Sequence, residues 1–145
     1  MVRYAQNGRP LPEPTPLAAP FFEALRSGRL LLPRCPRDGF FFYPRNRCPA
    51  CLRADWSWQP ASGRGRVHSF TVDRVGHDPA LAPLVPLVIA IVELEEGPRL
   101  SANLVDCASE DVSVGMLVQA EFAHYEGSSI LQFRPSTASG RGAPT

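Results

Sequence analysis

The chain has 145 residues, 44% of them apolar, and a formal net charge of +1. That length fits one compact unit, or two small modules sharing a core, and the apolar share is enough for a globular interior. A membrane-spanning helix is excluded on length: the longest apolar run, residues 84–92, contains Pro86 and falls far short of the ~20 residues a span requires.

The small net charge hides an asymmetry. Residues 1–66 carry eleven arginines against four acids, whereas residues 67–145 carry four arginines against ten acids. The first part could face an anion and the second should repel one. The chain has no lysine at all, so arginines dispersed over a surface without any ligand are the competing reading.

Residues 1–14, with Pro10, Pro12 and Pro14, read as an extended arm stiffened by proline. Thr15-Pro16 is an N-cap and first-turn pair that opens a helix, and Gly28 closes it after about Ser27. Phe21, Phe22 and Leu25 do not fit one narrow stripe, so this helix is expected to touch more than one surface. Leu30, Leu31 and Leu32 then lead as a strand into a cysteine-rich stretch.

Cys35-Pro36-Arg37-Asp38 and Cys48-Pro49-Ala50-Cys51 are two tight turns separated by nine residues. Paired turns of this spacing hold four ligands around one tetrahedral Zn²⁺, and their amides can hydrogen-bond the thiolate sulfurs. The second ligand position holds Asp38, a legitimate but harder zinc ligand than cysteine. A relic ribbon that has lost its metal, unrelated buried thiols or a disulfide are the alternatives. Residues 1–20 lack the apolar segment of a signal peptide, which points to the cytoplasm, where thiols stay reduced. The structural metal set is therefore Cys35, Asp38, Cys48 and Cys51. No H-E-x-x-H cluster is present, His68, His77 and His124 are scattered, and Cys107 reads as a small buried hydrophobe. Phe40, Phe41, Phe42 and Tyr43 lie between the turns. Four consecutive aromatics exceed what so small a ribbon can bury, so with Phe21 and Phe22 they are expected to dock on a partner.

From residue 63 the pattern is β. A glycine turn feeds an alternating strand over residues 65–75. Strands follow over residues 87–94, 99–105, 117–125 and 130–134, with a short turn at residues 109–115. Five strands so connected predict a Greek-key barrel of the OB type. The fold class is thus mainly β: an arm and helix (1–28), a rubredoxin-like zinc ribbon (29–60), a five-stranded OB-fold barrel (61–135) and a disordered tail (136–145).

Several strings carry a resemblance. Pro10 to Pro14, Phe21-Phe22-Glu23-Ala24-Leu25, the lead from Gly28 into Cys35, Tyr43-Pro44-Arg45, Cys48-Pro49-Ala50-Cys51 and the run from Gly63 to Val72 follow in order, completed by Pro86 to Leu94, Val114-Gly115-Met116 and Phe133-Arg134-Pro135. In order and spacing the chain resembles the OB-fold family long catalogued as domain of unknown function thirty-five, with its zinc ribbon. It departs from the family at Asp38, where cysteine is usual. The resemblance implies a non-catalytic accessory subunit that sits beside a thiolase-fold protein and helps it handle acyl-CoA thioesters, in steroid side-chain aldolases or C-acyltransferases for example. Arg34, Arg37, Arg45 and Arg47, with Arg53 beside them, could then meet CoA phosphates, since guanidinium matches phosphate geometry. The loop of residues 76–86, with His77 and Asp78, would form the lip of the acyl tunnel.

Two other classes compete. A ribbon with an OB barrel is also a design for single-stranded nucleic acid, but the acidic barrel half and its few surface aromatics weigh against that, and no nucleic-acid partner is expected. A stand-alone acyl-CoA hydrolase or dehydratase would need a base such as His68 or His124 working with Asp73. No nucleophile–base pair is visible in the sequence.

Overall fold

A computed structural model describes residues 2–136. Of the expected tail, residues 137–145 lie outside the described part. The chain runs from a small hairpin through one helix and a three-stranded ribbon into a closed five-stranded barrel. This is the mainly β ribbon-then-barrel architecture that the sequence predicts. Among the described residues no helix is long and apolar enough to cross a membrane.

The arm is not simply extended. Arg3–Tyr4 (β1) and Pro10–Leu11 (β2) pair antiparallel across a turn in which the Gly8 N–H donates to the Ala5 carbonyl. Gly8 is left-handed at φ +84°, and a Cβ there would stand 2.7 Å from the Ala80 carbonyl oxygen. The arm's turn therefore lies tight against the loop between the first two barrel strands.

The helix α1, Ala19–Arg26, begins later than the sequence suggests. Thr15 caps a preceding turn instead, its hydroxyl accepting from the Ala18 N–H at 3.3 Å, and Pro20 occupies the first helical turn. The helix ends as expected at left-handed Gly28. The Gly28 N–H donates to the Leu25 carbonyl and the Arg29 N–H to the Ala24 carbonyl, which is the Schellman pattern. Phe21, Ala24 and Leu25 form a buried i, i+3, i+4 stripe facing the core. The helix touches the last two barrel strands and the first ribbon strand, more than one surface as its apolar residues imply.

The ribbon sheet has Leu31–Cys35 (β3) at its centre, flanked by Gly39–Phe40 (β4) and Ser57–Pro60 (β5). The barrel strands are Arg64–Asp73 (β6), Leu87–Leu94 (β7), Arg99–Leu104 (β8), Leu117–Tyr125 (β9) and Ser128–Pro135 (β10). β6 pairs with both β7 and β9, and β8 pairs with β10 in parallel, which closes the barrel. That order is the OB connectivity.

β6 does not keep the simple alternation of its sequence. The register shifts between Val67, opposite Val92, and Ser69, opposite Ile91, leaving His68 as the extra residue of a bulge. Val67 and Val72, which strict alternation assigns to opposite faces, both pack on the core for this reason. Gly65 lies where β6 passes closest to β7: a Cβ would meet the Glu93 carbonyl oxygen at 2.6 Å and Val92 Cγ1 at 2.8 Å. Because the first obstacle is backbone, Gly65→Ala is expected to lower stability by ~1–3 kcal/mol through overpacking. Urea unfolding checks this, and an unchanged midpoint would refute it.

One core unites helix, ribbon and barrel. Phe21, Leu25, Leu30 and Leu32 share a cluster with Val67, Val92, Val118, Leu131 and Phe133. A second, small cluster lies inside the ribbon and contains Cys35, Phe41 and Cys48, with Cys51 and Trp56 against it.

Candidate metal centre and the adjoining groove

Both turns are shaped by local backbone. β3 ends at Cys35, and left-handed Gly39 (φ +81°) turns the chain back after Asp38. In the second turn Leu52 adopts φ +62°. Its N–H donates to the Cys48 carbonyl, and the Cys48 N–H to the Arg53 carbonyl. Leu52 is itself exposed, so the left-handed residue closes the knuckle without entering the core.

These turns bring together the four predicted ligands. One ligand atom from each of Cys35, Asp38, Cys48 and Cys51 lies within 4.8 Å of the others. Asp38 Oδ2 is 3.7 Å from Cys35 Sγ and 3.5 Å from Cys48 Sγ, and the Cys35 and Cys51 sulfurs are 3.6 Å apart. A tetrahedral Zn²⁺ with Zn–S of about 2.3 Å and Zn–O of about 2.0 Å would space two sulfurs by ~3.8 Å and a sulfur and an oxygen by ~3.5 Å. The donor set therefore fits a zinc ion in chemistry and in spacing.

Electrostatics agree. Burial alone would raise the Cys35 thiol, but the amides of Asp38 and Arg37 donate to its sulfur, and its pKa lies below the ordinary value. The Cys51 thiol, hydrogen-bonded to the Asp38 carboxylate, is pushed up to about 12. Asp38 moves the other way, lowered first by that same Cys51 hydrogen bond.

The four arginines predicted to meet phosphate are all exposed. Arg34 lies over the Phe40 ring, its guanidinium carbon 5.4 Å from the centroid. Arg47 donates to the Leu52 carbonyl at 2.9 Å. Arg53 is held by Asp55 at 2.6 Å, and the Asp55 carboxylate raises its pKa, with the Cys35 and Cys51 sulfurs adding to the effect. Arg37 and Arg45 form no ion pair among the described residues.

The aromatic run distributes itself differently from the sequence expectation. Phe41 turns into the ribbon and meets Trp56 edge-on, with ring centroids 5.6 Å apart. Phe40 and Phe42 pack against the main core, Phe42 against Phe21 at 5.4 Å. Only Tyr43 is exposed, its hydroxyl 3.4 Å from the Ser101 hydroxyl. The helix and barrel bury what the ribbon could not. Cys107 is half-buried against the same core.

A groove of about 470 Å³ opens where arm, helix, ribbon and barrel meet. Its walls are chiefly apolar, among them Phe21, Phe22, Phe42 and Leu100, with Tyr43 and Arg9 at polar points. Arg9, whose guanidinium reaches the Asn103 side chain, was not singled out from the sequence. No local signal marks it, because the groove exists only once four separate segments have packed. The loop of residues 76–86 does not line this groove. It is drawn in by Asp73, whose carboxylate accepts from the Val75 and Gly76 N–H groups, and it backs the arm's turn.

The histidines remain apart. His68 is on the exposed bulge, and His77 is exposed on the loop. His124 Nδ1 is 2.9 Å from the buried Ser129 hydroxyl, its cross-strand neighbour. Asp73, the carboxylate considered for acid–base work, is committed to backbone amides, which hold its pKa below the ordinary value.

Residues 22–57 match the rubredoxin-like zinc ribbon domain of ChsH2, and residues 58–123 match the C-terminal OB-fold domain of ChsH2. A DUF35 domain-containing scaffold protein of Methanocaldococcus jannaschii is 41% identical over 91 residues, which cover 61% of this chain and 64% of that protein. A probable enoyl-CoA hydratase alpha subunit of Thermomonospora curvata is 36% identical over 118 residues, covering 80% of this chain but 36% of that protein. The chain thus spans less than two thirds of either relative. A solved structure described as the Ltp2–ChsH2(DUF35) aldolase superposes with a TM-score of 0.76 at 34% identity, over 86% of this chain and 98% of the matched one.

Proposed function

The chain belongs to the DUF35 family of zinc-ribbon and OB-fold proteins, and on that premise we propose that it is a non-catalytic accessory subunit of a thiolase-fold enzyme. It docks on that partner and helps form its acyl-CoA site, for cleavage or formation of a carbon–carbon bond. The observation that carries this reading is the likeness to a chain of the Ltp2–ChsH2(DUF35) aldolase, which extends over 86% of this chain and so beyond any one module. The scaffold description of the Methanocaldococcus protein supports the same role.

In this reading one structural Zn²⁺ is held by Cys35, Asp38, Cys48 and Cys51 and fixes the two knuckles. The ribbon arginines Arg34, Arg37, Arg45 and Arg47 face the CoA phosphates. Arg37 and Arg45 are the better placed, since Arg34 is stacked on Phe40 and Arg47 is engaged with Leu52. The apolar groove beside Phe22, Phe42 and Tyr43 offers a wall for the acyl portion, within the size range of small-molecule sites. The nucleophile and the acid–base groups come from the partner.

Reconstitution tests the proposal. The thiolase-fold partner alone should be inactive, and adding this chain should restore turnover. His68→Ala and His124→Ala should keep most of that activity. A loss above ~100-fold from either, with the complex intact, would place acid–base catalysis on this chain and overturn the reading.

A further inference from the structure

The metal position has one weak arm. Cys35 and Cys48 are buried and Cys51 half-buried, packed with Phe41 and Trp56, whereas Asp38 is exposed. The two close approaches of its carboxylate to Cys35 and Cys48 are both made by one oxygen, Oδ2. Among the described residues only the three thiols hydrogen-bond this carboxylate; Cys35, by contrast, is oriented by two backbone amides. Ligands that lack such outer partners hold their ion ~10–100-fold less tightly. Donor chemistry points the same way, because zinc is borderline-soft and a carboxylate is the hardest donor of the four.

We propose that the ribbon centre is a three-thiolate anchor with a replaceable fourth position, and that a small thiolate from solution takes the place of Asp38 on the metal. The inference rests on the zinc reading of the ribbon and is independent of the thiolase-fold partner. The exchange needs no oxidant or reductant. The metal–oxygen bond to Asp38 breaks, a metal–sulfur bond forms, and the proton of the incoming thiol leaves to solvent. The freed carboxylate already stands at the surface, so no buried charge is stranded. One anionic donor replaces another, and the net charge of the centre is unchanged. The three cysteines keep the ion in place throughout.

Cobalt-loaded protein, prepared with a phosphine reductant so that no thiol is carried over, provides the test. Thiolate-to-cobalt charge transfer reports the number of sulfur donors. Adding 2-mercaptoethanol or coenzyme A should raise that band by about a third, as three sulfurs become four, while equilibrium dialysis still finds one cobalt per chain. Ethylene glycol should leave it unchanged. Asp38→Cys should begin at the four-sulfur intensity and ignore added thiol. Asp38→Ala, with no internal competitor, should respond at ~10-fold lower thiol concentration. A response to coenzyme A alone would still support the proposal and would show that the nucleotide helps to hold the thiol. A wild-type spectrum that stays flat would overturn it, and so would loss of cobalt to the thiol without the four-sulfur band. A chain that never loads cobalt or zinc would overturn the zinc reading as well, and the metal content distinguishes that case.

Discussion

Cys48→Ser is expected to take bound zinc from one ion per chain to near none and to unfold the ribbon while the barrel stays folded. Cys48 is almost fully buried, its sulfur is 3.5 Å from Asp38 Oδ2, and its peptide group anchors the second knuckle at both ends. The ribbon's own cluster is three buried residues with Cys51 and Trp56 against it, too few to hold two knuckles by burial alone. In such modules metal binding is itself the folding energy, ~10–16 kcal/mol in isolated zinc-finger peptides. The barrel rests chiefly on the main cluster, to which the ribbon adds Leu32, Phe40 and Phe42 at one side, and on strand pairing that closes on itself. Elemental analysis reads the metal. Hydrogen exchange should show loss of protection across residues 35–56 and retained protection in β6 to β10. Trp56 emission should shift to the red as its contact with Phe41 is lost. A serine variant that keeps one zinc per chain would refute the ligand assignment.

What the sequence made legible is what is encoded locally. The strands at Leu87–Leu94 and Leu117–Tyr125 coincide with expectation because a near-continuous apolar run in the first, alternation in the second and flanking turn residues act within a few residues of each other. The knuckles were readable for the same reason: four candidate donors at fixed spacing stand out before any fold exists, and the fold brings them within reach of one another. The missed features depend on distant partners. β5 is four residues long and ends in Pro60; it is a strand only because Leu31 to Arg34 pair with it. The arm's hairpin has two-residue strands and is held by Ala80 and Asn103 of the barrel. The bulge at His68 leaves no mark in the sequence and reverses the face of everything after it. The aromatic run misleads when the ribbon is counted alone. The second wall over Phe40 and Phe42 comes from the helix and barrel, and the groove with Arg9 arises from the same assembly.

Phe133→Ala should be the most destabilising single core change, and it should leave the metal in place. Phe133 is wholly buried on β10, opposite Ala120 of β9 and Leu104 of β8, so it stands where the barrel closes. Its carbonyl accepts the Val105 N–H at 2.8 Å, which ties the end of β8 to the same point. Its small neighbour Ala120 and the rigid closed sheet leave little means of collapsing into the space a lost ring would open. Truncating such a phenylalanine costs ~3–5 kcal/mol, a large share of the ~5–15 kcal/mol that holds a domain of this kind together. Ile89→Ala is the matched control, since Ile89 lies on the outer face of β7 and is 38% exposed; its cost should stay below ~1 kcal/mol. Urea unfolding at constant protein and zinc concentration compares the two. The midpoint for Phe133→Ala should fall well below both wild type and Ile89→Ala, with one zinc per chain retained by the folded protein. Equal midpoints for the two variants would mean that the closing strand does not carry the barrel's stability. Loss of zinc from folded Phe133→Ala would mean that the ribbon and barrel are one cooperative unit rather than two.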